Sequence, residues 1–161
     1  MPSEYIYHVS AWWTSGRTGL AKCGSAPNLI HFSEPPEFGG LEGRWTPEQL
    51  LLCSLASCFT TTFQDVARSS GFEYTDLEVE VEGSVRRSKG ACNFSGITIR
   101  PTLIVSTEQD MEAGKELLRK TKAVCLISRV ITVPQTLEAR AETCKMPAEA
   151  WAEPSLVKLG V

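Results

Sequence analysis

The sequence has 161 residues, of which 42% are hydrophobic and 22% charged, and its formal net charge is −3. This length suits one domain with a sizeable core, and the composition argues against intrinsic disorder. The sequence shows no basic stripe, no run of about 18 apolar residues and no N-terminal basic region followed by an apolar run. We therefore expect no nucleic-acid binding, no membrane span and no signal peptide.

Short strands and a loop are predicted for residues 1–45. Apolar side chains alternate from Tyr5 to Trp13, which is the period of a β-strand. A turn at 14–19 follows, in which glycines bracket Arg17. The stretches 20–23 and 28–32 indicate two more strands, and the Pro- and Gly-rich stretch from 33 to 43 predicts an ordered loop.

The segment 46–71 carries the clearest helix signal. Thr46 is a good N-cap, Pro47 suits the first helical position, and Gln49 completes a capping box. Apolar residues recur at helical spacing up to Val66, so we predict a helix over residues 47–69, with Gly71 at its end. No charged residue occurs between residues 49 and 64. Such a helix is expected to be buried nearly all round, either centrally or under a second copy of the chain.

Residues 72–161 are predicted to contain a hairpin, a second helix and a last strand. Alternating stretches at 77–85 and 97–105 flank a turn near 88–90, and Pro101 indicates an edge or a bulge. Residues 107–110 start a helix that runs toward Cys125, and 135–143 predict the last strand. The tail from Lys145 is left unassigned. This order of elements predicts one α+β domain over residues 1–161.

Six cysteines need an explanation, namely Cys23, Cys53, Cys58, Cys92, Cys125 and Cys144. No pair has the C-x-x-C spacing of a zinc or dithiol motif, so we expect no structural metal site. The two histidines, His8 and His31, are predicted to be strand residues rather than catalysts. Most of the thiols are expected to be reduced, small buried hydrophobes of a cytosolic protein.

The sequence alone leaves the role of Cys58 open between a core residue and a reactive thiol. Cys53 lies about 140° away around the same helix, so these two thiols cannot easily pair. Cys125 extends a face of the second helix. If the two helices pack, Cys58 and Cys125 can meet, but the same spacing would equally place a core thiol. The residues of that face are Met111, Gly114, Leu118 and Thr121.

Several motifs together resemble those of the OsmC/Ohr family, which comprises OsmC-like and organic hydroperoxide resistance proteins. The run TPEQLLLCSLASCF at 46–59 resembles the motif in which a Pro-Glu start leads ten residues later to the reactive cysteine. The run AVCLISR at 123–129 resembles the second cysteine motif. The Gly-Arg turn at 16–19 and the Gly-Gly loop at 38–40 also match. The resemblance covers about residues 5–143.

This resemblance implies an α+β fold with antiparallel sheets wrapped around two central helices, in an intertwined homodimer. It implies a cytoplasmic peroxidase that reduces organic hydroperoxides without metal, haem or flavin. Cys58 would attack the peroxide as a thiolate, and Cys125 would resolve the resulting sulfenic acid as a disulfide. A dithiol, such as a lipoylated protein, would reduce that disulfide. Cys23, Cys53, Cys92 and Cys144 have no family role, so they are interpreted as structural.

The resemblance also gives roles to Arg17 and Glu48. Arg17 would stabilise the thiolate, and Glu48 would hold Arg17 through a charge-assisted bond. Burial raises the pKa of a thiol, so a buried cysteine needs a cation, and an arginine stays charged when desolvated. Glu48 and Cys58 lie about 15 Å apart along one helix. Either the first turn bends back, or Glu48 serves the Cys58 of a second chain, which we favour.

Two other classes of function remain open. One is a non-catalytic OsmC-like module that binds a small molecule or lipid. The other is a redox sensor, in which disulfide formation reshapes the surface for a partner. The presence of Arg17, Glu48, Cys58 and Cys125 together favours the enzyme, because a binding module does not need all four.

Overall fold

The first sheet has three antiparallel strands, in the order β1-β2-β3. The computed structural model describes residues 4–88 and 90–143. The strands are β1 (Val9–Ser15), β2 (Thr18–Cys23) and β3 (Ile30–Ser33). The prediction of three N-terminal strands is confirmed, although β1 begins at Val9 rather than at Tyr5. A single 3₁₀ turn, Pro36–Phe38, lies in the predicted loop.

Helix α1 (Pro47–Ser69) has the predicted bounds, and its capping box is formed. The backbone N–H of Gln49 donates to Thr46 Oγ1 at 3.2 Å, and the backbone N–H of Thr46 donates to Gln49 Oε1 at 3.0 Å. The single chain does not bury α1 nearly all round, so the central alternative is wrong, and cover by a second copy stays a prediction. One side of α1 is in the core, whereas Leu51, Cys53 and Ser57 are exposed on another side.

The second sheet is mixed, which corrects the expectation of antiparallel sheets. Strands β4 (Asp76–Ser88) and β5 (Ala91–Val105) form the predicted antiparallel hairpin. The predicted last strand is present as β6 (Gln135–Leu137) and β7 (Arg140–Thr143), both parallel to β5. Parallel pairing follows because a helical crossover, rather than a tight turn, returns the chain to the sheet.

Pro101 lies inside the second sheet, so the prediction of an edge or bulge at this residue is wrong. It is buried, pairs with Val79, and belongs to the central strand β5. The register shift of the hairpin occurs at Ser84 and Val85 instead. On the other side of β5, pairing to β6 ends at Ile99 and pairing to β7 starts at 102. Proline, which lacks an amide hydrogen, therefore falls at an interruption of the ladder.

The core lies between the second sheet and the helices. Helix α2 (Asp110–Val124) follows β5, and the short helix α3 (Leu126–Val130), which periodicity did not reveal, follows Cys125. The predicted face of α2 is confirmed, since Gly114, Leu118 and Thr121 are buried. The glutamates of β4 point to the opposite, exposed face. The principal buried side chains are Leu55, Phe59, Phe63, Ile97, Ile99, Leu103, Val105, Leu118 and Cys125.

The first sheet stands apart from this core. Its strands pair with one another, and in the described chain none of them packs extensively against the helices or the second sheet. Every residue of β1 is exposed, including Val9 at 75% and Trp13 at 72%. Exposed apolar surface of this extent is characteristic of a surface that a partner covers.

One helix of the described chain, α1, is long and apolar enough to cross a membrane by length and composition. Core helices of soluble proteins meet the same criteria. Its inward side packs on the second sheet through Leu55, Phe59 and Phe63, each of which is 0% exposed. These contacts are those of a core helix.

The close approach of α2 to β5 at Gly114 supports a stability prediction. A β-carbon at this residue would lie 2.6 Å from Leu103 Cδ2 and 3.3 Å from Phe72 Cζ. We expect Gly114→Val to lower the free energy of unfolding by about 1–3 kcal/mol through overpacking. Urea unfolding followed by circular dichroism measures this change. The matched control is Ala113→Val at the neighbouring exposed residue, and equal losses for both variants would contradict the packing argument.

Candidate thiol site

The thiols of Cys58 and Cys125 meet between α1 and the junction of α2 with α3. Their sulfur atoms are 3.3 Å apart, and both cysteines are free. Cys58 is half-buried in the middle of α1, while Cys125 is 0% exposed. The prediction that the packing of the two helices lets these thiols meet is confirmed. A disulfide has a bond of about 2.05 Å, so on two-electron oxidation a small approach of the sulfurs would form one, with loss of the thiol protons.

Cys125 is also the residue at which the helix direction changes. Its backbone is extended, at φ −60° and ψ 120°, so α2 ends there and α3 begins with the next residue. Its amide still donates to Thr121 O at 2.8 Å. The turn places the first amides of α3, those of Leu126 and Ile127, beside the sulfur of Cys58. Backbone N–H groups at this location favour a negative charge on sulfur.

These surroundings shift the pKa of Cys58 below its ordinary value. Burial raises the pKa, but hydrogen bonds to the sulfur outweigh it. The donors, in decreasing order, are the amide of Ile127, the thiol of Cys125, the hydroxyl of Thr62 and the amide of Leu126. Cys58 is therefore the thiol that ionises more readily.

The pKa of Cys125 is shifted in the opposite direction. Burial raises it first, and the thiol's hydrogen bond to Cys58 and the charge of that sulfur raise it further. The amide of Ser128 lowers it only in part. The pair is therefore asymmetric, because Cys58 is the more acidic thiol and the thiol of Cys125 donates to its sulfur.

A side-chain clamp holds α3 in position. Ser128 Oγ donates to Gln135 Oε1 at 2.6 Å. Gln135 Nε2 in turn donates to the carbonyls of Ser128 and Ile131, at 2.8 and 2.9 Å. These bonds fix a five-residue helix to strand β6. Sequence reasoning missed both the helix and the clamp, because five residues are too few to show a helical period.

Arg17 lies in the turn between β1 and β2, away from the thiol pair of its own chain. Its guanidinium forms an ion pair with the carboxylate of Glu34, and both side chains are about half exposed. Two hydrogen bonds from the end of β3 reach the Arg17 carbonyl, one from the hydroxyl of Ser33 and one from the backbone amide of Glu34. Within the described residues, no hydrogen bond or ion pair joins Arg17 to Cys58 or Glu48.

Glu48 lies in the first turn of α1 and is also separate from the thiol pair. Its Oε2 atom is buried and has no hydrogen-bond partner among the residues that the structure describes. The side chain lines a cleft of about 440 Å³ with Phe38, Arg87 and Cys92. A buried carboxylate oxygen without a donor is costly, so this atom favours an arrangement in which a hydrogen-bond donor reaches it.

The remaining cysteines correct part of the sequence interpretation. Cys53 and Cys92 are exposed and Cys23 is half-buried, so they are not small buried core residues of a single chain. Cys53 lies on the side of α1 that faces away from the sheet. Hydrogen bonds led by the Ser25 hydroxyl lower the pKa of Cys23. Cys144 lies outside the described residues.

Neither histidine is near the thiol pair. His31 is in β3 as predicted, whereas His8 precedes β1, and both are exposed. In residues 4–88 and 90–143, no three His, Cys, Asp or Glu side chains group in a way that could hold a metal ion.

The opposite pKa shifts of Cys58 and Cys125 give a titration prediction. We expect the alkylation rate of Cys58 to reach half its maximum at a lower pH than that of Cys125, because only the thiolate reacts. Iodoacetamide labelling across a pH series, with mass spectrometry of each cysteine, measures both profiles. The control is the protein unfolded in urea, where both should titrate near the ordinary value. A shared profile in the folded protein would contradict the asymmetry.

Comparison with known proteins supports the geometry of this fold. The family model described as OsmC-like protein matches residues 40–140. The uncharacterized protein YmaD of Bacillus subtilis (strain 168) is 27% identical over 132 residues, which are 80% of this chain and 88% of that protein.

Solved structures with the same fold cover most of the chain. An OsmC-like protein of unknown function from Vibrio cholerae has a TM-score of 0.74 at 15% identity, over 84% of this chain and 99% of its own. An organic hydroperoxide resistance protein from Elizabethkingia anophelis has a TM-score of 0.70 at 18% identity, over 89% of this chain and 99% of its own. The organic hydroperoxide resistance protein OhrB of Bacillus subtilis has a TM-score of 0.64 at 20% identity, over 86% of this chain and 98% of its own. The fold is the α+β fold of these proteins, and because the family model matches more than half of the chain, the protein belongs to the OsmC-like family.

Proposed function

We propose that the protein is a thiol-dependent peroxidase that reduces organic hydroperoxides. The observation that carries this proposal is the 3.3 Å contact between the sulfurs of Cys58 and Cys125, whose pKa values are shifted in opposite directions. A nucleophile and a resolving thiol need this arrangement. Two relatives of similar fold are named organic hydroperoxide resistance proteins, which supports this class of substrate.

The first step consumes the peroxide at Cys58. The thiolate attacks the terminal oxygen of the hydroperoxide, the O–O bond breaks, and the alkoxide leaves and takes up a proton as the alcohol. Cys58 becomes a sulfenic acid and gains one oxygen. The sulfur is oxidised, and the peroxide is reduced by two electrons.

The second step joins the two sulfurs. The sulfur of Cys125 attacks that of Cys58, the hydroxyl of the sulfenic acid leaves as water with the Cys125 proton, and a disulfide forms. From 3.3 Å, the sulfurs need to approach by roughly 1 Å to reach bonding distance. A dithiol, such as a lipoylated protein, then reduces the disulfide by exchange. Such a cycle with free thiols suits the cytoplasm.

Arg17 and Glu48 are assigned to the thiol pair of a second chain, in a homodimer. Three observations support this assignment. The buried Glu48 Oε2 lacks a donor among the described residues, α1 exposes apolar residues such as Leu51, and nothing in the described chain covers the apolar first sheet. In the dimer, Arg17 would exchange Glu34 for Glu48 and face the partner's thiolate. The cation would then lower the pKa of Cys58 further.

The surroundings of Arg17 suit an apolar peroxide. Arg17 lines a cleft of about 580 Å³ whose other walls include Trp12, Trp13 and Phe32. These aromatic side chains offer a hydrophobic surface to the organic group of a substrate, while the guanidinium can orient the peroxide oxygens.

Thiol titration tests the reaction class. We expect the reduced protein to lose two thiols per chain rapidly on addition of cumene hydroperoxide. Cys58→Ser should abolish this loss, because it removes the nucleophile. Cys125→Ser should leave one oxidisable thiol that stops at the sulfenic acid or beyond. Trapping with dimedone and mass spectrometry distinguishes these products.

The matched control for this titration is Cys53→Ser, on the same helix but with its side chain exposed. It should lower the total thiol count by one and leave the rapid loss of two unchanged. Slow oxidation that does not depend on Cys58 would overturn the peroxidase proposal and favour a binding module. Rapid disulfide formation without turnover in the presence of a dithiol would favour a redox sensor.

Complementation between chains tests the shared site. We expect Arg17→Ala and Cys58→Ser each to be strongly impaired as homodimers. A heterodimer of the two, purified with two different tags, should regain activity, because the intact Cys58 of one chain meets the intact Arg17 of the other. Peroxide consumption measures this recovery. If Arg17 served the Cys58 of its own chain, the heterodimer would contain no complete site and would stay inactive.

A further inference from the structure

Three consecutive threonines follow Cys58 and use their hydroxyl groups differently. Thr60 donates to the backbone carbonyl four residues earlier at 3.0 Å. Thr61 donates to the carbonyls four and three residues earlier, each at 3.1 Å. The hydroxyl of Thr62 instead contacts the sulfur of Cys58, with 3.9 Å between Oγ1 and Sγ.

The spacing along α1 places Thr62 beside Cys58. Residues four positions apart lie on the same helix face, so the side chain of Thr62 stacks beside that of Cys58. Thr62 is half-buried on this face, whereas Thr61 is exposed. A threonine hydroxyl has one hydrogen, and in a helix it commonly bonds the carbonyl of the preceding turn. Here the hydrogen is available to the sulfur.

Few charged groups lie near the sulfur of Cys58, so a neutral hydrogen-bond donor can influence its ionisation. Helix α1 has no charged residue between Glu48 and Asp65, and the inward side of β4 is apolar because its glutamates lie on the exposed face. On α3, Arg129 is exposed. Among the described residues, Cys125 is the titratable group that faces Cys58. Within one chain, neutral dipoles therefore surround the thiolate.

We propose that Thr62 is a catalytic residue whose hydroxyl donates to the sulfur of Cys58 and favours its ionised form. This inference rests on the proposed function, in which that sulfur is the nucleophile. The pKa shift agrees with it, since burial raises the pKa of Cys58 and Thr62 is among the donors that lower it. Thr62 complements Cys125, which gives up its proton in the second step and then has none to donate. The hydroxyl of Thr62 is not consumed at any stage of the cycle.

The test compares three variants of nearly equal shape. Thr62→Val replaces the hydroxyl with a methyl group, Thr62→Ser keeps the hydroxyl, and Thr61→Val makes the same replacement one residue away. The readout is the rate of iodoacetamide labelling of Cys58 from pH 5 to 11. Tryptic cleavage leaves Cys53 and Cys58 in one peptide, residues 45–68, so fragment spectra must assign the label.

We expect Thr62→Val to shift the labelling profile of Cys58 to higher pH. Its rate at pH 7 should fall about three- to tenfold, which is the loss expected for one hydrogen bond of ordinary strength, because the 3.9 Å contact is long. The rates should converge at high pH, where the thiol is ionised in every variant. Thr62→Ser and Thr61→Val should keep the profile of the unmodified protein.

An unchanged profile for Thr62→Val would overturn the inference, as would an equal shift for Thr61→Val. Equal impairment of Thr62→Ser and Thr62→Val would also overturn it, because the hydroxyl would then not be the relevant group. Labelling does not use peroxide, so the inference can fail while the peroxidase proposal stands. If the unmodified protein fails to reduce cumene hydroperoxide but the labelling shift appears, the peroxidase proposal fails and the hydrogen bond does not.

Discussion

The contact between the sulfurs of Cys58 and Cys125 depends on one packing arrangement, in which α1 and α2 lie side by side on the second sheet. Leu55, Phe59 and Leu118 are fully buried in this layer. Their burial fixes the depth and rotation of both helices, and the close approach of Gly114 to Leu103 sets α2 against β5. Small changes in this packing would separate the two sulfurs.

Proximity alone would give two equivalent thiols, and the change of direction at Cys125 makes them different. Because the chain turns there, the amides of Leu126 and Ile127 reach the sulfur of Cys58. Burial raises the pKa of Cys125, and its hydrogen bond to Cys58 adds to the effect. The Gln135 side chain keeps α3 in place through three hydrogen bonds. The two thiols thus differ in pKa through backbone geometry and burial rather than through residue type.

One chain nevertheless leaves several groups without the surroundings that their chemistry needs. The buried oxygen of Glu48 has no donor in the described chain, Arg17 pairs with an exposed Glu34, and the apolar strand β1 is uncovered. A second copy would address these deficits together, because it would cover the sheet and bring a guanidinium to a thiolate. The expected pairing of Arg17 with Glu48 is not present among the described residues of the single chain, and it stays a prediction for the assembled protein.

The sequence by itself determined the bounds of α1, because Thr46, Pro47 and Gln49 form a local capping signal, and it determined the inward face of α2 through periodicity. Spacing also allowed Cys58 and Cys125 to meet. Tertiary structure decided that they do meet, that the last strand is parallel, and that Pro101 sits in the central strand. It alone revealed α3, the Gln135 clamp and the orientation of Thr62. These features depend on contacts between residues distant in sequence or on the direction of one side chain, and neither leaves a periodic signal along the chain.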